Sequence, residues 1–150
     1  MASATGFEGW IHKEGWLTDA PVCDWDLVGC DSAGRVKLLT LDFNGLVGTL
    51  PSSIGDLGQL QDLDMEGNAL HGTLPAALGE LKELRQIGLG GGSRFEGALP
   101  AALSCGPLTA IRAAAEAAGS EQLPCDLGGS NFSCPLPCAE AAKACGAVCR

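Results

Sequence analysis

The stretch from Lys37 to Leu108 is written three times. Its lines are KLLTLDFNGLVGTLPSSIGDLGQL, QDLDMEGNALHGTLPAALGELKEL and RQIGLGGGSRFEGALPAALSCGPL, each of 24 residues. Leu39, Leu63 and Ile87 share one column, and Leu41, Met65 and Leu89 share another. Gly48 matches Gly72, Leu50 matches Leu74, and Pro51 matches Pro75. The third line carries one extra residue in its Gly90–Arg94 loop and loses one after Leu103. A unit this short cannot enclose a core by itself. Repeats of this period bury their apolar columns by stacking, so the chain must form a solenoid with covered ends.

The columns after each strand position read LVGTLPSSIGDLGQL and LHGTLPAALGELKEL. This LxGxLPxxLGxLxxL pattern resembles the plant-type leucine-rich repeats of receptor-kinase ectodomains and polygalacturonase-inhibiting proteins, and similar repeats occur in surface antigens of some protists. The resemblance covers residues 20–137. It implies an α/β fold: a short right-handed leucine-rich-repeat solenoid with a parallel β-sheet on the concave face and disulfide caps at both ends. The stretch PVCDWDLVGCDSAGRV, residues 21–36, resembles the N-terminal cap of that family, PCxWxGVxC, with DLVGC where the family often has xGVxC. Cys23 and Cys30 take the two cysteine places and Trp25 the tryptophan, which implies a Cys23–Cys30 disulfide. Zinc is a weak alternative there, because the CxxxxxxC spacing lacks a second ligand pair nearby.

A chain of 150 residues that is 46% hydrophobic is one domain with a core. Residues 1–36 read as an N-terminal cap. Within it, residues 1–20 are expected to form a short helix with Phe7, Trp10, Ile11 and Leu17 on one side, and Trp10 and Trp16 wedged against the first coil. Residues 37–108 are the three repeats. The period then breaks, and PLTAIRAAAEAA, residues 107–118, reads as a helix: Pro107 suits the first turn, and Leu108, Ile111, Ala115 and Ala118 form an apolar stripe. Residues 109–121 are assigned to this helix on the convex side. Residues 122–137 are a degenerate last repeat, in which CDLGGSNFSCPLP aligns with LDMEGNALHGTLP and Cys125 takes the inward place of Leu63. Residues 138–150 are a cysteine-rich C-terminal cap.

Side chains alternate along a strand. With Leu39 and Leu41 inward, the outward sets are Leu38, Thr40 and Asp42, then Asp62, Asp64 and Glu66, then Gln86, Gly88 and Gly90. Parallel stacking makes Asp42 and Glu66 neighbours. Asn44 and Asn68 occupy a column whose side chains can bond backbone groups inside the turn, with Gly92 in that column in the third coil. The acidic patch of Asp42, Asp62, Asp64 and Glu66, continued by Gln86 and by the bare backbone of Gly88, is the candidate partner-binding face. Like charges on adjacent strands cost stability, so the patch is either solvated and screened or matched to a cationic partner. A basic segment of a protein or peptide fits better than Ca²⁺, which needs six or more oxygens in closer array.

Eight cysteines point to an oxidising compartment, extracellular or equivalent. Cys134, Cys138, Cys145 and Cys149 can nest as Cys134–Cys149 and Cys138–Cys145, leaving Cys105 and Cys125 to pair, but six cysteines allow 15 connectivities. Four thiolates holding zinc is the alternative to a disulfide cap. The first residues, MASATGFEGWIHKEGW, lack the basic start and apolar core of a leader, so the expectation is a leader missing or trimmed from this chain. Asn131-Phe132-Ser133 is a glycosylation sequon.

The totals narrow the function. A net charge of −9 argues against nucleic acid and anionic membranes, and no run of 18 apolar residues is present to span a bilayer. His12 and His71 lie far apart in sequence, no catalytic triad is recognisable, and Gly90-Gly91-Gly92 lacks phosphate-loop spacing. No cofactor or metal is expected, and no enzymatic activity. The expectation is a protein–protein interaction module that binds through the concave sheet or the solenoid edges. The alternatives are a structural subunit of a larger assembly or an inhibitor of a secreted hydrolase.

Overall fold

The computed structural model describes residues 4–118, 125–133 and 148–149. Among these residues ten short strands form two sheets: β1 (Val28–Cys30), β2 (Val36–Thr40), β3 (Val47–Gly48), β4 (Asp62–Asp64), β5 (Ala69–Gly72), β6 (Gln86–Gly88), β7 (Arg94–Gly97), β8 (Cys125–Asp126), β9 (Asn131–Phe132) and β10 (Val148–Cys149). The concave sheet has the order β1-β2-β4-β6-β8, antiparallel between β1 and β2 and parallel thereafter. Its register follows the repeat: Leu39 lies beside Leu63, Leu63 beside Ile87, and Ile87 beside Cys125.

A second parallel sheet, β10-β9-β7-β5-β3, runs along one flank. Gly48, Gly72 and Gly97 precede the Leu-Pro steps at which each coil turns toward the convex side. In the structure each also belongs to a strand of this sheet, with φ of 127°, 83° and 82°. Each coil then crosses the convex side in one helical turn. These are 3-10 turns at Ser52–Asp56 and Ala76–Glu80, and α1 (Ala101–Ser104) in the third coil. The second helix, α2 (Pro107–Ala117), follows at once. Its Leu108, Ile111 and Ala115 are buried, whereas Ala118 is exposed and does not join the stripe.

The core is the set of repeat columns. Leu41, Met65, Leu89 and Leu127 are fully buried in one, and Leu46, Leu70, Phe95 and Phe132 in another. Polar columns tie the turns. Asn68 Oδ1 accepts from the backbone N–H of Asn44 and Leu46 at 3.1 and 2.9 Å, and its Nδ2 donates to Leu41 and Met65 carbonyls at 2.8 Å each. Asn44 does the same for the cap, accepting from Ile11 and His12 and donating to the His12 carbonyl. In the third coil the post belongs to Ser93 and not to Gly92. Ser93 is buried and its Oγ accepts from Leu70 N–H at 3.3 Å, because the extra loop residue is absorbed before the column resumes. Ser130 continues it, accepting from Phe95 N–H at 3.2 Å.

The N-terminal segment is not one helix. Its described residues include the 3-10 turn Phe7–Gly9 and are mostly turns and bends. Gly6 and Gly15 take left-handed backbone, which interrupts any helical ladder. Trp10 and Trp16 are buried as expected, but Ile11 and Leu17 are 66% and 62% exposed. The segment docks by its backbone instead: Val47 N–H donates to Thr5 O and Thr49 N–H to Ala4 O. Trp10 and Trp16 meet edge to face with centroids 4.9 Å apart, and Trp25 lies 4.9 Å from Trp16. Each indole N–H is satisfied by a carbonyl, of Thr5, Asp26 and Ala20 respectively. Cys23 and Cys30 are joined by a disulfide. The Asp31 carboxylate closes the adjoining turn, accepting from Arg35 Nε at 2.8 Å and from the backbone N–H of Ala33 and Arg35. The Arg35 guanidinium and these N–H donors hold the Asp31 carboxyl down from its ordinary 3.8 to about 2.

Candidate functional site

The parallel register sets the outward side chains of the concave sheet in rows. Leu38, Asp62 and Gln86 form one row, and Thr40, Asp64, Gly88 and Asp126 the next. Past the strand ends, Phe43 N–H donates to the Glu66 carbonyl at 2.8 Å, which sets Asp42 beside Glu66. The face therefore brings together Asp42, Asp62, Asp64 and Glu66, with the exposed Gln86 at its margin. Asp126 is the acid that the sequence reading missed. The signal was present, since the alignment of Cys125 with Leu63 already places Asp126 in the column of Asp64.

Gly88 and Gly90 do not offer the open backbone expected of them. Both are buried. A Cβ at Gly88 would lie 2.7 Å from Asp64 Oδ1, and a Cβ at Gly90 would strike the Asp126 carboxylate, so acids of the neighbouring coils roof both glycines. Glu66 leans over Gly91 in the same way, and the Phe43 ring lies on Gly67. Backbone donors fix two of these carboxylates: Asp64 Oδ1 accepts from Glu66 N–H at 3.0 Å, and Asp126 Oδ1 from Gly128 N–H at 2.6 Å. Asp62 is the exception, with a buried Oδ1 that reaches no donor. Burial, and then repulsion from Asp64, push its carboxyl above the ordinary carboxylate range.

Among the described residues, the ion pairs join Arg35 and Lys37 to Asp31, at 2.8 and 4.0 Å, and none reaches the concave acids. No group of three or more His, Cys, Asp or Glu among the described residues is arranged to hold a metal ion. No described helix is long and apolar enough to cross a membrane. His12 and His71 are both exposed, His71 on β5. An apolar cavity of about 250 Å³ lies under the N-terminal cap, lined by Trp16, Leu17, Trp25, Val36, Leu57 and neighbours, with no titratable group in its wall.

Cys105 and Cys125 each take part in a disulfide. Cys149 lies on β10, and Cys134, Cys138 and Cys145 fall outside the described residues, as does most of the expected C-terminal cap. Asn131 lies on β9, where its backbone pairs with Glu96 and Val148.

Stacked coils, a parallel concave sheet and an asparagine column define a leucine-rich-repeat solenoid. The family model of the Leucine Rich Repeat matches residues 59–81, the end of the first coil and most of the second. Phytosulfokine receptor 2 of Arabidopsis thaliana is 41% identical over 51 residues, which cover 32% of this chain and 5% of that protein. The LRR ectodomain of the receptor kinase SOBIR1 from Arabidopsis thaliana superposes with a TM-score of 0.55 at 24% identity, over 75% of this chain and 59% of that one. The BIR2 ectodomain from Arabidopsis thaliana does so with a TM-score of 0.56 at 17% identity, over 91% of this chain and 85% of its own. In its repeats the chain is similar to these plant leucine-rich-repeat receptors. The chain spans only a small part of the curated receptor it matches.

Proposed function

We propose that this chain is a non-catalytic recognition module that binds a basic segment of a protein or peptide across its concave face. The observation that carries the reading is the set of concave carboxylates, Asp42, Asp62, Asp64, Glu66 and Asp126, none of which has a cationic partner among the described residues. Like charges held side by side lower stability, and a cationic partner turns that repulsion into binding energy and a faster encounter. The likeness to receptor ectodomains supports the same reading. The disulfides support placing the module outside the cell or in another oxidising compartment, where the Asn131-Phe132-Ser133 sequon would be read for glycosylation.

The test is a pull-down from the native source under non-reducing conditions. The baits are the wild-type chain and the triple reversal Asp62→Lys, Asp64→Lys, Glu66→Lys, each checked for folding by circular dichroism. A basic companion captured by the wild type and lost from the variant is the expected result. A companion held equally by both would move the binding surface off the concave sheet. One set of residues favours a second reading, a subunit seated in a larger assembly by its capped end. Ile11, Leu17, Val22 and Val47, on or beside the N-terminal segment, are large, apolar and exposed. A companion lost on Ile11→Ser and Val47→Ser, and kept by the acidic reversal, selects that reading.

A further inference from the structure

We propose that Phe43 is the aromatic anchor of this face, taking a guanidinium or ammonium group of the partner's basic segment onto its ring beside Asp42 and Glu66. The inference rests on the concave face being the site for a basic segment, and it names the residue that grips it.

Phe43, Gly67 and Gly91 occupy one column of the repeat and share left-handed backbone, with φ of 47°, 70° and 67°. Glycine adopts that conformation freely, and a bulky side chain does not. Among the described residues two other non-glycine residues do so: Leu27, φ 64°, is half-buried against the core, and Leu17, φ 56°, lines the apolar cavity while staying 62% exposed. Phe43 gains little burial, since it is 66% exposed. Its ring rests on Gly67, whose missing side chain makes the seat; a Cβ there would fall 2.8 Å from the ring's Cγ.

Two acidic residues adjoin the seated ring in the chain. Asp42 precedes it and is exposed, and the backbone carbonyl of Glu66, the residue before Gly67, accepts from Phe43 N–H. A cation over an aromatic face is held by the ring quadrupole, and adjoining carboxylates add to the attraction. An anionic group would be repelled, and an uncharged one would leave both carboxylates unmatched. The occupant that satisfies ring and acids together is an arginine or lysine side chain. Exposed aromatics of this kind supply much of the energy at protein interfaces.

The probe is the peptide acetyl-(Arg-Gly)4-amide, with its citrulline analogue as the neutral control. Binding is read by calorimetry at low salt and by NMR shifts of the Phe43 ring. Wild-type protein is expected to bind the arginine peptide and not the citrulline one. Phe43→Gly, which restores the residue of the other coils, should weaken binding by about five- to tenfold without lowering the melting temperature, and Phe43→Trp should retain it. Phe43→Leu keeps apolar bulk and should behave like the glycine variant. Wild-type affinity in Phe43→Gly, together with lost binding in Asp42→Asn/Glu66→Gln, would overturn the anchor and leave the acidic-face reading standing. If the wild type does not bind the arginine peptide, the anchor is overturned, and the pull-down then judges the acidic face by itself.

Discussion

The Asp62 carboxylate stands between Leu38 and Gln86 on the concave sheet, half-buried, with Oδ1 reaching no donor. Its pKa is raised by burial and then by Asp64. The folded state therefore holds the Asp62 proton more tightly than the unfolded chain does, so this group's contribution to stability falls as pH rises through its raised pKa. Asp31 runs the other way. Its pKa of about 2 makes its contribution complete above the unfolded value and lost as pH falls through about 2. Asp62→Asn should then raise the melting temperature at pH 7, with an advantage that shrinks as acid protonates the wild-type carboxyl. A melting-temperature series from pH 7 to pH 4 checks it; a variant no more stable at pH 7 would show that solvent or a neighbour already satisfies Asp62.

The convex turns show how tightly the coils are stacked as elements. Turn Ala76–Glu80 packs on α1, and a Cβ at the buried Gly79 would strike both the side chain and the backbone of Ala102. Gly79→Ala should cost about 2 kcal/mol by overpacking. Gly58→Ala is the control: its Cβ meets nothing and its backbone is not left-handed, so it should gain about 0.5 kcal/mol. Urea denaturation of the two variants reads both, and equal stability would mean that the coils slide apart at little cost. The same stacking explains what the chain disclosed in advance. Columns such as Leu39, Leu63 and Ile87 set the concave register before any coordinates, and Pro107 with Leu108 and Ile111 announced α2. The second sheet was hidden because its strands are two to four residues long and carry a glycine or a polar residue at half of their positions. The N-terminal segment was misread because Phe7, Trp10 and Ile11 have helical spacing, while the glycines among them favour turns. At the site, column arithmetic delivered Asp42, Asp62, Asp64 and Glu66, and the same arithmetic carried one coil further would have added Asp126. The roofing of Gly88 and Gly90 and the orphaned oxygen of Asp62 depend on side-chain rotamers, which no periodicity encodes.

A solenoid of so few coils is held at its ends as much as along its length, because each coil touches only its neighbours and the first has a face with no coil before it. Here that face is covered by the tryptophan stack, by Asn44 reaching back to Ile11 and His12, and by the Cys23–Cys30 disulfide. The disulfide closes a short loop, at a sequence separation of 7, so chain entropy assigns it about 2 kcal/mol. The chain has three tryptophans, Trp10, Trp16 and Trp25, and all three sit in this cap. Indole fluorescence therefore reports the cap, while far-ultraviolet circular dichroism reports the whole stack. In wild-type protein the two signals should lose structure at the same urea concentration. In Cys23→Ser/Cys30→Ser the fluorescence midpoint should move to lower urea and precede the circular dichroism midpoint, as the cap comes away from coils that still hold one another through Asn68 and Ser93. Coincident midpoints in the variant would mean that the first coil and its cap are one cooperative unit with the rest. The disulfide would then act on global stability alone. Separate midpoints would make the capped end the part that opens first, and that end carries Ile11, Leu17 and Val22, the exposed apolar side chains on which the assembly-subunit reading depends.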